Sequence, residues 1–145
     1  MKNRYDDLNK FLESIHMGSK IVRLYKEKCE EKEVSSLLNE IIETFKKHEA
    51  NVMQRINKHK VNPCEDLSMG KELLVWMEKF KNLTDDFNVG IELLKAINMG
   101  TSKGLEFLYE HDDYDKETTK VLKDVIKDYS YLYDKVTNYI TDKYI

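Results

Sequence analysis

The sequence has few of the residues that interrupt helices. It contains one proline and five glycines in 145 residues, fewer than chains built from many strands and turns normally carry. It also lacks a long apolar run, since no stretch approaches the roughly 18 apolar residues of a membrane-spanning helix. These absences predict an all-α protein with no membrane partner.

The sequence also has only two cysteines and a small net charge. Cys29 and Cys64 lie far apart without metal-ligand spacing, so we expect two reduced thiols rather than a disulfide framework. Lys and Arg number 24 against 27 acidic residues, a net charge of −3, and the two signs alternate along the chain. This pattern argues against a nucleic-acid partner. The N-terminus turns acidic before any apolar run develops, which favours the cytoplasm.

The sequence repeats itself. The segment 12–18, LESIHMG, returns as 94–100, LKAINMG, at an offset of 94 − 12 = 82 residues. Four apolar residues of one periodic stretch return at an offset of 122 − 38 = 84, namely Leu38, Ile42, Val52 and Ile56 as Leu122, Ile126, Val136 and Ile140. A repeat of this length predicts two similar helical hairpins.

Apolar residues at three- and four-residue spacing predict four long helices and one short helix. The long helices are expected at about Tyr5–Cys29, Val34–Lys58, Asp85–His111 and Asp115–Ile140, with Asp85 or Asp86 and Asp115 at helix N-termini. Ile91, Leu94, Ile97, Leu105 and Leu108 form the predicted apolar stripe of the third long helix. The short helix carries Leu73, Leu74, Met77 and Phe80, with Ser68 as its cap and Trp76 as a lid on the bundle.

The connection between the hairpins selects the topology. A helix of about 25 residues is about 38 Å long, and a link over about 59–84 with a short helix can span that length. Short loops within each hairpin and one long crossover between them define a ferritin-like four-helix bundle. We therefore predict a single ferritin-like domain over 1–145.

The central layer of such a bundle is where a di-metal site would lie. Ferritin-like carboxylate bundles use one Glu from each of two helices and a Glu-x-x-His pair from each of the other two. At the matching positions this chain has small polar residues, aromatic residues and a single histidine. These positions are occupied by Ser19, Thr101, Phe45 with His48, and Tyr129 with Leu132. We therefore predict no metal, no cofactor and no catalytic residue, with Ser19, His48, Thr101 and Tyr129 as a candidate polar layer.

His48 admits three interpretations. It is most simply a core histidine bonded to Ser19, Thr101 or Tyr129. It is alternatively a phosphotransfer histidine, or a metal ligand acting with displaced carboxylates. The available carboxylates, which the periodicity otherwise marks as solvated, are Glu43, Glu49, Asp124 and Asp128. His16 and His111 are expected near helix surfaces or ends, and His59 in a basic stretch beside the crossover. None of the three is expected to form a constellation.

Glycines inside predicted helices need an explanation. Gly18, Gly100 and Gly104 each cost about 1 kcal/mol relative to alanine, so close approach of neighbouring helices is expected there. The alternative is a small-ligand cavity between the facing helices. The repeat places Gly18 and Gly100 at the same height.

From about Leu8 to Ile140 the chain resembles the uncharacterised bacterial ferritin-like proteins of domain-of-unknown-function family 2383. The resemblance lies in Leu8-Asn9 followed by Leu12-Glu13, in Gly18 and Gly100 at the family's two Gly-Glu dipeptides, and in Lys47-His48 at its Glu-His step. It implies the ferritin-like fold but no reaction, because the family has no settled activity. Ser19, Thr101 and Lys47 stand where the family pattern is acidic.

We therefore hypothesise a non-enzymatic bundle that acts by binding protein, with a homodimer as the first candidate. Tyr131 and Tyr133 flank an inward-facing leucine, and exposed tyrosines favour a protein interface. The alternative is a ferritin-like metal-binding oxidoreductase or iron-handling protein that uses His48 with displaced ligands.

Overall fold

A computed structural model describes residues 3–65, 71–83 and 85–145, without the side chains of 71–73, 76 and 80. Within these ranges the chain is helical and has no strand. The helices are α1 (Leu8–Lys28), α2 (Lys32–Lys58), α3 (Lys71–Lys81), α4 (Asp86–Glu110) and α5 (Lys116–Tyr144), with a 3₁₀ turn at Arg4–Asp6 before α1. The predicted all-α class is confirmed, while the predicted cap Ser68 and the Trp76 side chain lie outside the described residues.

The four long helices pack in a ring around one apolar core. α1 contacts α2 and α4, while α5 contacts α2 and α4. Every long helix supplies fully buried aliphatic side chains, and burying each contributes roughly 1.5–3 kcal/mol. The largest of these are Leu8, Leu12, Ile15, Ile21, Leu38, Ile41, Ile56, Leu93, Leu122 and Leu132.

Contacts between helix ends give the helix directions. The Arg4 guanidinium donates to the Asp113 carbonyl 3.0 Å away, which joins the start of α1 to the turn after α4. At the opposite end, the amides of Glu30 and Glu31 donate to the Asp86 carboxylate at 3.2 and 2.9 Å. α1 is therefore antiparallel to both α2 and α4, so α2 and α4 run in the same direction and the segment between them must return along the bundle.

That return begins on the surface of α1. Asn9 donates to the Asn62 carbonyl at 3.0 Å and accepts from the Cys64 amide at 2.8 Å. α3 then packs against α1, and the Lys28 ammonium at the end of α1 donates to the Lys81 carbonyl at 3.3 Å. The described parts of the crossover thus follow α1 from its first turn to its last.

The inward-facing line of α4 differs from the predicted stripe. Leu105 is 54% exposed, and the buried line runs through Val89, Leu93, Ile97 and Gly104. A Cβ on Gly104 would lie 3.1 Å from Ile126 of α5, so the position facing the core has no side chain. The prediction that Leu105 faces the core is wrong, because apolar periodicity follows large side chains and Gly104 takes the facing position.

Candidate functional site

Two aromatic rings occupy the middle of the bundle. Phe45 of α2 and Tyr129 of α5 are each 4% exposed, and their ring centroids are 5.5 Å apart. A Cβ on Gly18 would lie 2.9 Å from Phe45, and one on Gly100 would lie 3.2 Å from Tyr129. The two glycines allow α1 and α4 to approach these rings closely, as the repeat predicted.

The repeat is visible in this packing. Gly18 and Gly100 are related by the offset 100 − 18 = 82, and Phe45 and Tyr129 by 129 − 45 = 84. Each hairpin thus places one aromatic ring over its own glycine, and the two rings meet. Aromatic side chains therefore fill the space in which the metal ligands of a carboxylate bundle would converge.

His48 is buried beside this ring pair. It is 1% exposed, and its ring lies edge-on to Tyr129 with centroids 5.6 Å apart. Its Nε2 is 2.8 Å from Oδ2 of Asp128, which also accepts from the Lys47 ammonium at 3.2 Å. Its Nδ1 is buried without a hydrogen-bond partner among the described residues.

This geometry fits a neutral imidazole that donates from Nε2 to an ionised carboxylate. Burial lowers the pKa of His48 below its usual 6.5, although the Asp128 carboxylate opposes the shift. Desolvation raises the pKa of Asp128, but hydrogen bonds from His48 and Lys47 outweigh it and hold that pKa below its ordinary value. At neutral pH the buried nitrogen Nδ1 therefore carries a lone pair to which no described residue donates.

The structure brings together two of the four predicted polar residues. His48 and Tyr129 are in ring contact. Ser19 is buried at 4% exposure, whereas the Thr101 hydroxyl donates to the Ile97 carbonyl of its own helix at 3.0 Å. The partner of His48 is Asp128 rather than Ser19, Thr101 or Tyr129, so the assignment of Asp128 to the solvated charges is wrong.

A second histidine–carboxylate pair lies between α1 and α2. His16 is 3% exposed, and its Nδ1 contacts the Glu49 carboxylate. Its Nε2 is 3.0 Å from the Cys64 carbonyl. The predictions that His16 lies near the surface and that Glu49 is solvated are both wrong, because the crossover covers this part of α1. The Glu49 carboxylate and the Cys64 carbonyl thus both present oxygen atoms to the His16 ring.

A polar cluster closes the end of the bundle where α2 finishes and α5 begins. Arg55 is 8% exposed and donates to Thr118 at 3.2 Å, to Glu117 at 3.0 Å and to Asp115 at 3.3 Å. Asp115 also lies 2.8 Å from His59 Nε2, whose ring stacks on Tyr5 at 3.6 Å. Sequence periodicity missed this cluster because it joins residues about 60 or 110 positions apart.

A small apolar cavity lies between α1 and α4 beside Gly18 and Gly100. Its volume is about 20 Å³, and its lining includes Met17, Gly18, Ile97, Gly100 and Tyr129. That space is close to the volume needed for one water molecule and far below that of an organic ligand site. Close helix approach therefore accounts for the glycines better than a ligand cavity does.

No metal-binding constellation occurs within the described ranges. In these parts of the chain no three His, Cys, Asp or Glu side chains converge so as to hold a metal ion. Cys29 and Cys64 are both free thiols. None of the described helices is long and apolar enough to cross a membrane.

Comparison with known proteins adds no relative. No protein-family model, no curated protein and no solved structure matches this chain. Function must therefore be argued from the site itself.

Proposed function

We propose that this chain is a ferritin-like four-helix bundle without a di-metal centre, which acts by binding protein rather than by catalysis. The observation that carries the proposal is the Phe45–Tyr129 ring pair packed over Gly18 and Gly100. A di-metal site needs carboxylates and imidazoles that converge on a shared space. In this chain that space is taken by two aromatic rings.

The helix directions and the crossover support the ferritin-like class. α2 and α4 run in the same direction, and the segment between them follows α1 along the bundle. A single long crossover between two hairpins distinguishes this class from up-down-up-down bundles. The resemblance to domain-of-unknown-function family 2383 is part of this proposal.

Exposed aromatic side chains favour protein binding as the activity. Tyr131 and Tyr133 of α5 are 59% and 37% exposed, and tyrosine is enriched in protein interfaces. The bound protein could be a second copy of this chain, in a homodimer formed through the long helix faces. It could also be a different protein. Analytical ultracentrifugation over a wide concentration range separates these two possibilities. A reversible homodimer dissociates on dilution, whereas a protein that is monomeric at all concentrations must bind a different partner.

Metal content tests the non-catalytic part of the proposal. Protein purified without chelator or affinity-tag metal is incubated with iron, manganese or zinc, desalted and measured by elemental analysis. We expect far less than one metal ion per chain. A matched variant, His48→Ala, is expected to show the same background. Two ions per chain in the native protein, lost in His48→Ala, would overturn the proposal.

The two histidine–carboxylate pairs favour one second candidate, a ferritin-like iron-handling protein or oxidoreductase with displaced ligands. His48–Asp128 and His16–Glu49 involve adjacent positions on α2, so a metal could recruit both pairs only if side chains moved. Stoichiometric iron in the native protein would select this candidate. The phosphotransfer hypothesis requires an accessible imidazole, and the burial of His48 at 1% exposure argues against it.

A further inference from the structure

The first half of α5 carries a row of lysines on its outer face. Lys116, Lys120, Lys123 and Lys127, here called the lysine row, are all exposed. Their spacings of four, three and four residues place them on one side of a helix, over a length of about 16 Å. The opposite side of α5 is buried in the core through Leu122, Val125, Tyr129 and Leu132. The sequence alone does not reveal this row, because Glu117 and Asp124 alternate with the lysines along the chain.

The neighbouring carboxylates are largely committed to other partners. Glu117 pairs with Arg55 at 3.0 Å, and Asp128 pairs with His48 and Lys47. Asp124 pairs with Lys120 of the row at 3.1 Å. Among the described residues, Lys116, Lys123 and Lys127 form no salt bridge with a carboxylate. Three of the four ammonium groups of the row are therefore available to an external acid.

The row lies in a shallow groove rather than on a convex ridge. A depression of about 470 Å³ at the α4–α5 turn is lined by all four lysines, together with Tyr114, Thr119, Asp112 and Asp124. One turn beyond Lys127, Tyr131 continues the same face and is 59% exposed. The Lys135 ammonium lies 5.8 Å from the centre of the Tyr131 ring, and Lys135 also pairs with Glu40. The ring is therefore held at the end of the row as an exposed aromatic anchor.

We propose that the lysine row and Tyr131 form the docking surface for an acidic helical segment of a partner protein, with carboxylates at three- and four-residue spacing. This inference rests on the proposed protein-binding function and names the chemistry of the partner. Attraction between the lysines and the partner's carboxylates sets the alignment of the partner helix along α5. Tyr131 adds an aromatic contact of the kind that dominates protein interfaces.

Two features favour a protein over other anionic partners. Asp112 and Asp124 line the groove and the whole chain is net negative, which weakens the long-range field that a nucleic-acid backbone requires. Membrane docking also needs apolar side chains beside the basic ones. Among the described side chains, the large exposed aliphatic residues lie on α3, on α4 or after the end of α5 rather than beside the row; they are Leu74, Val75, Leu105 and Ile145.

The test uses a synthetic acidic peptide as the probe. A fluorescein-labelled, helix-forming peptide of about 18 residues carries glutamates at i, i+4, i+7 and i+11, and a second peptide of the same composition distributes them around the helix. Anisotropy is measured with the full-length protein. We expect the first peptide to bind more tightly than the second, with weaker binding as salt rises.

Charge reversal locates the binding surface. Lys123→Glu/Lys127→Glu is expected to weaken binding of the first peptide at least tenfold. The control Lys10→Glu/Lys32→Glu makes the same change in net charge at two exposed sites on α1 and α2, and we expect it to change binding less than about twofold. Tyr131→Ser is expected to weaken binding several-fold with unchanged circular dichroism, because its ring is mostly exposed.

Several results would overturn the inference. One is no peptide binding at low salt, and another is equal loss in both double variants. A third is tighter binding of an oligothymidylate or of phosphatidylserine vesicles, lost in Lys123→Glu/Lys127→Glu, since the row would then bind phosphate groups. A fourth is a homodimer that the same variant dissociates. These results are independent of metal content, so failure of this inference is distinguishable from failure of the non-catalytic proposal.

Discussion

Gly18 of α1 lies against the Phe45 ring, and its missing side chain leaves room for that ring. We predict that Gly18→Ala lowers the free energy of unfolding by about 1 kcal/mol. The added Cβ would lie 2.9 Å from Phe45, and overpacking of about 1–3 kcal/mol outweighs the helix-propensity gain of about 1 kcal/mol. Urea unfolding monitored by circular dichroism measures the change.

The control for this prediction changes the ring. In a Phe45→Leu background the clash is relieved, so we expect Gly18→Ala to be neutral or stabilising by up to about 1 kcal/mol. Equal destabilisation in both backgrounds would show that Gly18 is needed for a reason other than its contact with Phe45.

The burial of His48 makes the stability of the folded protein depend on pH. Burial lowers the pKa of His48 in the folded state below the 6.5 of the exposed residue. The unfolded chain therefore takes up the proton at a higher pH than the folded one, so the stability due to neutral His48 is present above about pH 6.5 and is lost as the pH falls below it.

We predict that the stability advantage of the native protein over His48→Gln is larger at about pH 7.5 than at about pH 5.5. Denaturant unfolding of both proteins at the two pH values measures it, and the difference between them cancels the titration of other groups. An advantage that grows toward acid would mean that His48 is held charged by Asp128.

At the scale of the helix, the N-terminus of α5 depends on Asp115. Its carboxylate accepts from the Thr118 amide at 2.6 Å and also pairs with Arg55 and His59. Desolvation raises the pKa of Asp115, but hydrogen bonds from Thr118 and His59 and the charge of Arg55 together hold that pKa far below its usual range. Stability due to this carboxylate is therefore fully present above its ordinary pKa of 3.8 and is lost progressively as the pH falls below that value toward the lower pKa of the folded state.

We predict that Asp115→Ala lowers the free energy of unfolding by about 2 kcal/mol, because it removes both a helix cap and a partner of the buried Arg55. Asp115→Asn keeps the cap and is expected to cost less. Thermal and urea unfolding measure both variants. If the two costs were equal, the cap would contribute nothing beyond the charge.

The crossover gives a prediction on local order. Asn9 holds both Asn62 and Cys64, so we expect Asn9→Ala to speed hydrogen exchange at the Cys64 amide with little effect on amides of α5. Exposed Asn138 provides the matched control, since Asn138→Ala touches neither residue. Unchanged exchange at Cys64 would mean that the His16 contact alone holds the segment.

Sequence patterns predict where the helices lie better than they predict which side chains meet between helices. Asp85 and Asp115 cap α4 and α5 as predicted, because capping is a local property of the residues that follow. Apolar periodicity places Leu105 on the inward line of α4, whereas in the structure Gly104 takes that position. The pairs His48–Asp128 and His16–Glu49 join residues 80 and 33 positions apart, and apolar periodicity carries no information on such pairing.

At the scale of the whole molecule, the two hairpins relate to one another as copies. Gly18 and Phe45 in one half correspond to Gly100 and Tyr129 in the other, and the two rings meet at the centre. This correspondence is what two copies of one hairpin would show if they packed against each other through the same ring contact. The offset of 84 residues that relates Phe45 to Tyr129 also relates His48 to Leu132, and both side chains are 1% exposed. The buried histidine is thus a departure of one copy from the other, confined to the first half of the chain.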